Sequence, residues 1–134
     1  MFNYKTPFLL ARLAIGTSFF GHGCFRIPIL YTFSDGMVKQ FEHSILPQQL
    51  VLAFSYALPF IELIIGVLLL VGLFTRYALI AGVLLMMALI FGCTSIQHYD
   101  PIQLQLTHAA FCIVLLVFVD RYNSFALGRF IKSK

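Results

Sequence analysis

The chain is short of charge. Only 10% of its 134 residues are charged, and five of them are acidic. An average soluble domain carries about 25% charged residues. With 60% hydrophobic residues, a soluble fold of this length could not keep its apolar surface from water. Cysteine is also scarce. Cys24, Cys93 and Cys112 form no C-x-x-C pair, and an odd number argues against a disulfide framework. They read as small buried hydrophobes. No glycine-rich phosphate loop, Walker sequence or hydrolase elbow occurs, so soluble-style nucleophilic catalysis has no support. The net charge of +4 brings no basic face with it. Arg129, Lys132 and Lys134 sit together at the C-terminal end, which suits a tail facing anionic lipid and excludes a nucleic-acid partner. In "MFNYKTPFLLARLAIGTSFF" no small-x-small cleavage site follows the apolar run, and Arg12 interrupts it. That stretch reads as a retained first span.

What the chain does have is long apolar runs. A helix needs about 20 mostly apolar residues to cross the hydrocarbon core. Residues 7–28, 48–74, 77–96 and 103–120 qualify. The unbroken runs exclude a barrel, whose strands alternate, and inside a membrane the helix satisfies its own backbone. The expectation is an all-α, antiparallel, integral membrane four-helix bundle formed by one domain over residues 1–134. Residues 29–47, with Ser34, Asp35, Gly36, Lys39, Glu42 and Pro47, read as the longest polar link. The Thr75–Arg76 link is short enough for a tight hairpin, and residues 122–132 suit an interfacial helix. Tyrosines near the span ends form an aromatic belt. Lys5, Arg76, Arg121, Arg129, Lys132 and Lys134 fall on the side of the termini, against Lys39 and Arg26 on the other. This asymmetry predicts cytoplasmic termini.

The ionisable candidates away from the ends of the expected spans are Arg12, His22, Glu62 and His108. Such groups are costly near mid-bilayer, and they face the bundle interior and find partners. At a rise of about 1.5 Å per residue, Arg12 lies roughly 8 Å from the side of the termini, Glu62 about 18 Å and His22 about 23 Å. Two arrangements fit. Arg12 reaches Glu62 and the pair locks the first two spans together, or Glu62, His22 and His108 gather one turn higher as a ligand or proton pocket. Gly16 and Gly66 each fall four residues after a charge and on its face, where they permit close helix approach. Pro59 loosens the helix beside Glu62, and Tyr56 is the tyrosine expected to point into the pocket. His22 and Cys24, with Cys93 or His98 nearby, are zinc- or copper-type ligands. Two positions apart on a helix, however, they face different ways. No metal is assigned, and a Cys24–Cys93 disulfide is the less favoured reading of those thiols.

"LLARLAIGTSFFGHGCFRI" and "LPFIELIIGVLLLVGLFTR" resemble the first and second spans of DoxX-family membrane proteins, and "ALIAGVLLMMALIFG" fits the third. The resemblance covers about residues 8–118 and is weakest in the fourth span. It implies a four-helix protein of the bacterial inner membrane, with Arg12, Glu62 and Arg76 at motif positions. Family members are associated with membrane oxidoreductase systems. The resemblance therefore implies an accessory or subunit of a quinone-linked redox system, with a non-covalently bound quinone as cofactor. Expected partners are the bilayer, a soluble or membrane oxidoreductase subunit, and further copies of the chain. A carrier or binding module for an apolar molecule or lipid, and a purely structural assembly subunit, are the alternatives.

Overall fold

The computed structural model describes residues 3–132. Helix α1 (Lys5–Arg26) is followed by a 3-10 turn (Ile27–Ile29) and helix α2 (Leu30–Gln40). Then come α3 (Gln48–Val71), α4 (Thr75–Ser95), α5 (Ile102–Tyr122) and the short α6 (Leu127–Lys132). The described residues contain no strand. Four helical stretches are long and apolar enough to cross a membrane, as the apolar runs predict. Much of the outer surface matches that environment: Ile64, Met87 and Val117 are each more than half exposed.

Local chemistry sets the breaks. Pro28 has no N–H to continue the α1 ladder, so the chain jogs through the 3-10 turn before α2 resumes. Gly72 ends α3 in the left-handed region at φ 73°, and Leu73 N–H also donates to the Leu68 carbonyl at 3.0 Å. This cap lets α4 fold straight back. Pro47 and Pro101 precede α3 and α5, where a missing donor is harmless.

The expected polar link over residues 29–47 is mostly helix. Its composition reads as a loop, but its pattern is amphipathic. Phe33 and Met37 pack toward the core while Asp35 and Lys39 stay exposed. Ser34 is fully buried. Ser55 donates to the Leu52 carbonyl at 2.7 Å, so its oxygen is left to accept from the Ser34 hydroxyl at 2.6 Å. This bond ties α2 to α3.

Helix α1 packs antiparallel along α3, and α4 along α5. The α1–α3 seam is close. A Cβ on Gly23 would come within 2.6 Å of the Pro59 carbonyl, and one on Gly66 would collide with the Phe20 backbone. Gly16 meets Leu69 and Leu70 at the same seam. These contacts fix a register in which Glu62 stands opposite Gly23, whereas Arg12 stands beside Gly72. Phe19, Leu58, Leu69, Leu79 and Cys112 fill the centre of the bundle. The Tyr4 and Tyr122 rings meet at a tilt with centroids 5.4 Å apart, so the start of α1 and the end of α5 lie at one end of the bundle.

Candidate functional site in the bundle interior

The α1–α3 register separates the two groups that depth counting could join. Between Glu62 and the level of Gly72 lie ten residues of helix, or about 15 Å, which is beyond an arginine side chain. Arg12 therefore does not meet Glu62. It is 2% exposed and turns toward the C-terminal segment. One Nη1 donates to Asn123 Oδ1 at 2.6 Å, and Nη2 donates to the Phe125 carbonyl at 2.8 Å. The C-terminal ends of α3 and α5 both converge there. Their unpaired carbonyls and negative dipole ends suit a cation. A Cβ at Gly72 would lie 2.7 Å from Arg12 Nη1, so no space is left for a ligand.

Glu62, 3% exposed, takes its cation from the far end of α1. Arg26 Nη1 donates to both carboxylate oxygens, at 2.8 and 2.7 Å. The guanidinium lies 5.0 Å above the Phe33 ring, a cation–π contact that helps hold it in an apolar wall. Its Nη2 and Nε make no hydrogen bond among the described residues and remain available to a ligand.

Two histidines complete the cluster. His108 on α5 faces His22 on α1 with ring centroids 5.9 Å apart, and Phe19 edge-on at 5.7 Å. His108 Nδ1 lies 2.8 Å from the Leu104 carbonyl. A carbonyl only accepts, so Nδ1 carries the proton in that bond. In the neutral ring Nε2 is then the acceptor, and the Ser18 hydroxyl donates to it at 2.6 Å. Ser18, His22 and Arg26 recur every four residues and form one polar stripe along α1.

This cluster closes the inner end of a cavity of about 400 Å³. The cavity runs between α2 and α3 on one side and α4 and α5 on the other. Phe33, Met37, Phe54, Leu58, Met86 and Leu89 make its walls largely apolar. Its mouth lies at the end away from the termini, where Leu50, Phe91 and Leu104 are each more than half exposed.

Of the residues singled out from the sequence, His22, Glu62 and His108 thus share this cavity, while Arg12 and Tyr56 do not line it. Tyr56 is half-buried against Tyr31, with centroids 6.1 Å apart. The α3 positions that face the cavity are 50, 51, 54, 58 and 62, and residue 56 falls on the other side of that helix. Gly16 and Gly66 serve the α1–α3 seam, Pro59 is buried within it, and Arg76 pairs with Asp120 at the surface. Arg26, Ser18, Cys93 and Gln105 were not picked out as site residues. The signal for Ser18 and Arg26 was their spacing of four from His22. The three cysteines are free, with Cys24 exposed, Cys93 half-buried and Cys112 buried.

Four apolar helices around a largely apolar slot with a charged inner end define a multi-pass membrane protein with an interior cavity. The DoxX family model matches residues 8–95, and the chain belongs to the DoxX family. That match takes in α1 to α4 and stops short of α5, which supplies His108. No curated protein and no solved structure matches the chain.

Proposed function

We propose that this protein is a membrane subunit of a quinone-linked redox system and holds the quinone headgroup at the inner end of the cavity. One observation carries the reading: an otherwise apolar slot ends on a buried Glu62 paired with a partly exposed Arg26 whose guanidinium keeps unused N–H donors. A quinone needs an apolar slot with a few well-placed polar groups. Arg26 Nη2 and Nε would donate to one ring carbonyl. Glu62 and His22 are placed to hold or move the protons that quinone reduction consumes. Phe33, Phe54 and Met86 would grip the ring and the start of its tail, which leaves by the mouth at Leu50 and Phe91. The bound quinone supplies the electron-accepting chemistry, and an oxidoreductase partner, soluble or membrane-bound, supplies the electrons. We place the protein in a bacterial inner membrane with cytoplasmic termini, as the lysine and arginine asymmetry supports.

The test is to extract the protein in a mild detergent that retains lipid and to analyse what co-purifies. Quinone close to one per chain is expected, falling sharply in Arg26→Met. Phospholipid without quinone in the wild type would sink the proposal. The exposed apolar mouth also favours a second reading, a carrier that loads an amphiphile from the bilayer. Glu62→Gln separates the two: a redox subunit loses turnover and keeps its ligand, while a carrier changes affinity and transfers no electrons in either form.

A further inference from the structure

His22 and Arg26 face two spaces. Both line the inner end of the cavity, and both line a groove on the outside of α1. Together they stand between the buried cluster and the surface of the bundle. Thr17, Ser18 and Gly21 form the rest of the groove with Phe25 and Ile29, so four of its seven residues carry polar side chains. The groove is open at Gly21, where an added Cβ would meet nothing within 4 Å. It follows the stripe of Ser18, His22 and Arg26 to the end of α1 that lies away from the termini. Arg26 is the last residue of that helix and is partly exposed. His22 lies one turn, about 6 Å, further in. The cavity's own mouth, at Leu50, Phe91 and Leu104, is apolar. The two openings thus differ in chemistry. The mouth suits a hydrocarbon tail, whereas the groove offers water hydroxyl and ring-nitrogen partners.

We infer that this groove is the proton inlet of the site, and that His22 relays protons through it from the side of the membrane away from the termini. Two electrons from the partner and two protons from water turn the bound quinone into the quinol. His22 takes each proton on one ring nitrogen and gives one up to a ring oxygen of the headgroup from the other, a transfer open to a group with one donor and one acceptor nitrogen. Arg26 on α1, Glu62 on α3 and His108 on α5 are the charged and titratable groups that share its space. His108 cannot take its place. Both of its nitrogens are engaged, by the Leu104 carbonyl and the Ser18 hydroxyl, and it does not line the groove. The inference rests on the quinone reading of the cavity and adds the side from which the protons come.

Two measurements test it. The first asks whether water enters the groove, and it needs no ligand. Oriented membrane vesicles carry the full chain with Cys24→Ser, which removes the exposed native thiol. A charged, membrane-impermeant methanethiosulfonate is added to one side at a time, and peptide mass spectrometry locates the label. Gly21→Cys should react from the side away from the termini. Ala110→Cys, exposed on α5, about as deep in its span and lining neither space, should stay unlabelled, because the reactive thiolate needs water. An unlabelled Gly21→Cys, equal labelling of the two, or entry from the side of the termini overturns the inlet. The second measurement uses decylquinone bound to the purified chain on an electrode, which takes the partner's place. His22→Gln should slow reduction per bound quinone about a hundredfold, the low end of general acid–base effects, and imidazole in the buffer should restore much of the rate. Gly21→Leu, which fills the groove and leaves His22 in place, should also slow it, without rescue by imidazole. It keeps the test open if His22→Gln misfolds. An undiminished rate in either folded variant overturns the relay and leaves the cavity reading standing. No quinone bound by the wild type overturns the quinone reading, and the relay with it.

Discussion

Helix α1 carries two arginines that enter the bundle, Arg12 and Arg26, and they meet opposite fates. Arg12 sits among carbonyls at the convergence of two helix C-termini. Its two terminal nitrogens are taken, and the backbone at Gly72 closes over it. Arg26 is 30% exposed, meets a carboxylate that is 3% exposed, and keeps two nitrogens free beside a cavity. The same side chain is a latch in one place and a ligand-facing donor in the other. The difference comes from what surrounds the guanidinium. Where both terminal nitrogens meet fixed acceptors and the backbone closes over them, the group is structural, even with Nε left unpaired. Where one nitrogen satisfies the carboxylate and the others are unpaired in a side chain that lines a cavity, the site can take a further partner.

The latch should give the largest effect. Arg12→Met removes two hydrogen bonds from a charged donor, each worth about 1.5–3 kcal/mol, and strands Asn123 and Phe125. Unfolding in detergent should show a loss of about 3–5 kcal/mol. Limited proteolysis should cut earlier around residues 123–132, since Arg12 and the bond from Gly128 N–H to the Gly72 carbonyl hold that segment. Wild-type stability in Arg12→Met would remove one half of the contrast. Ligand retention should be far less affected than stability.

Arg26 should behave in the reverse way. Arg26→Met leaves Glu62 buried without its cation. Breaking a fully buried pair costs about 3–5 kcal/mol. With Arg26 partly exposed, we expect about 2 kcal/mol after discounting for solvent screening. An apolar replacement of both partners is often neutral. Arg26→Met/Glu62→Leu should accordingly recover most of the stability and still lose co-purified quinone. A double variant that keeps its quinone would mean the charged cluster is not the headgroup site. No similar rescue exists for Arg12, because one of its partners is a main-chain carbonyl.

This contrast also marks how far the sequence could be read. The four apolar runs declare the four helices directly, because crossing length and composition are one-dimensional properties. Glu62, His22 and His108 stand out for the same reason, as polar residues in apolar company. Which arginine meets Glu62 depends on helix register, and register is set by Gly16, Gly23 and Gly66 against particular backbone atoms of the facing helix. That is a three-dimensional fact with only a weak trace in the chain, the repeat of Ser18, His22 and Arg26. Helix α2 was hidden for another reason. Its charged residues all face outward, so its average composition is that of a loop while its pattern is that of a one-sided helix.

A smaller effect should come from that hidden helix. Ser34→Ala removes the hydroxyl that donates to Ser55, while Ser55 keeps its own bond to the Leu52 carbonyl. One neutral hydrogen bond lost without leaving a donor stranded is worth about 1 kcal/mol. Because α2 brings Phe33 and Met37 to the cavity wall, ligand release should quicken more than stability falls. A stopped-flow release rate unchanged in Ser34→Ala would show that α2 does not cover the ligand.

The smallest effect belongs to a third arginine, and it sharpens what burial contributes in the other two. Arg76 pairs with Asp120 across the α4–α5 seam, with the side chains 51% and 76% exposed. An exposed ion pair is worth about 0–1 kcal/mol, so Arg76→Ala should cost no more than about 0.5 kcal/mol in detergent, and added salt should erase even that. The group is charged and paired as Arg26 is, with only its surroundings changed. If Arg76→Ala instead costs as much as Arg26→Met, exposure cannot be what separates these arginines. Something must then cover that end of the bundle in the working protein, whether lipid headgroups or a bound subunit.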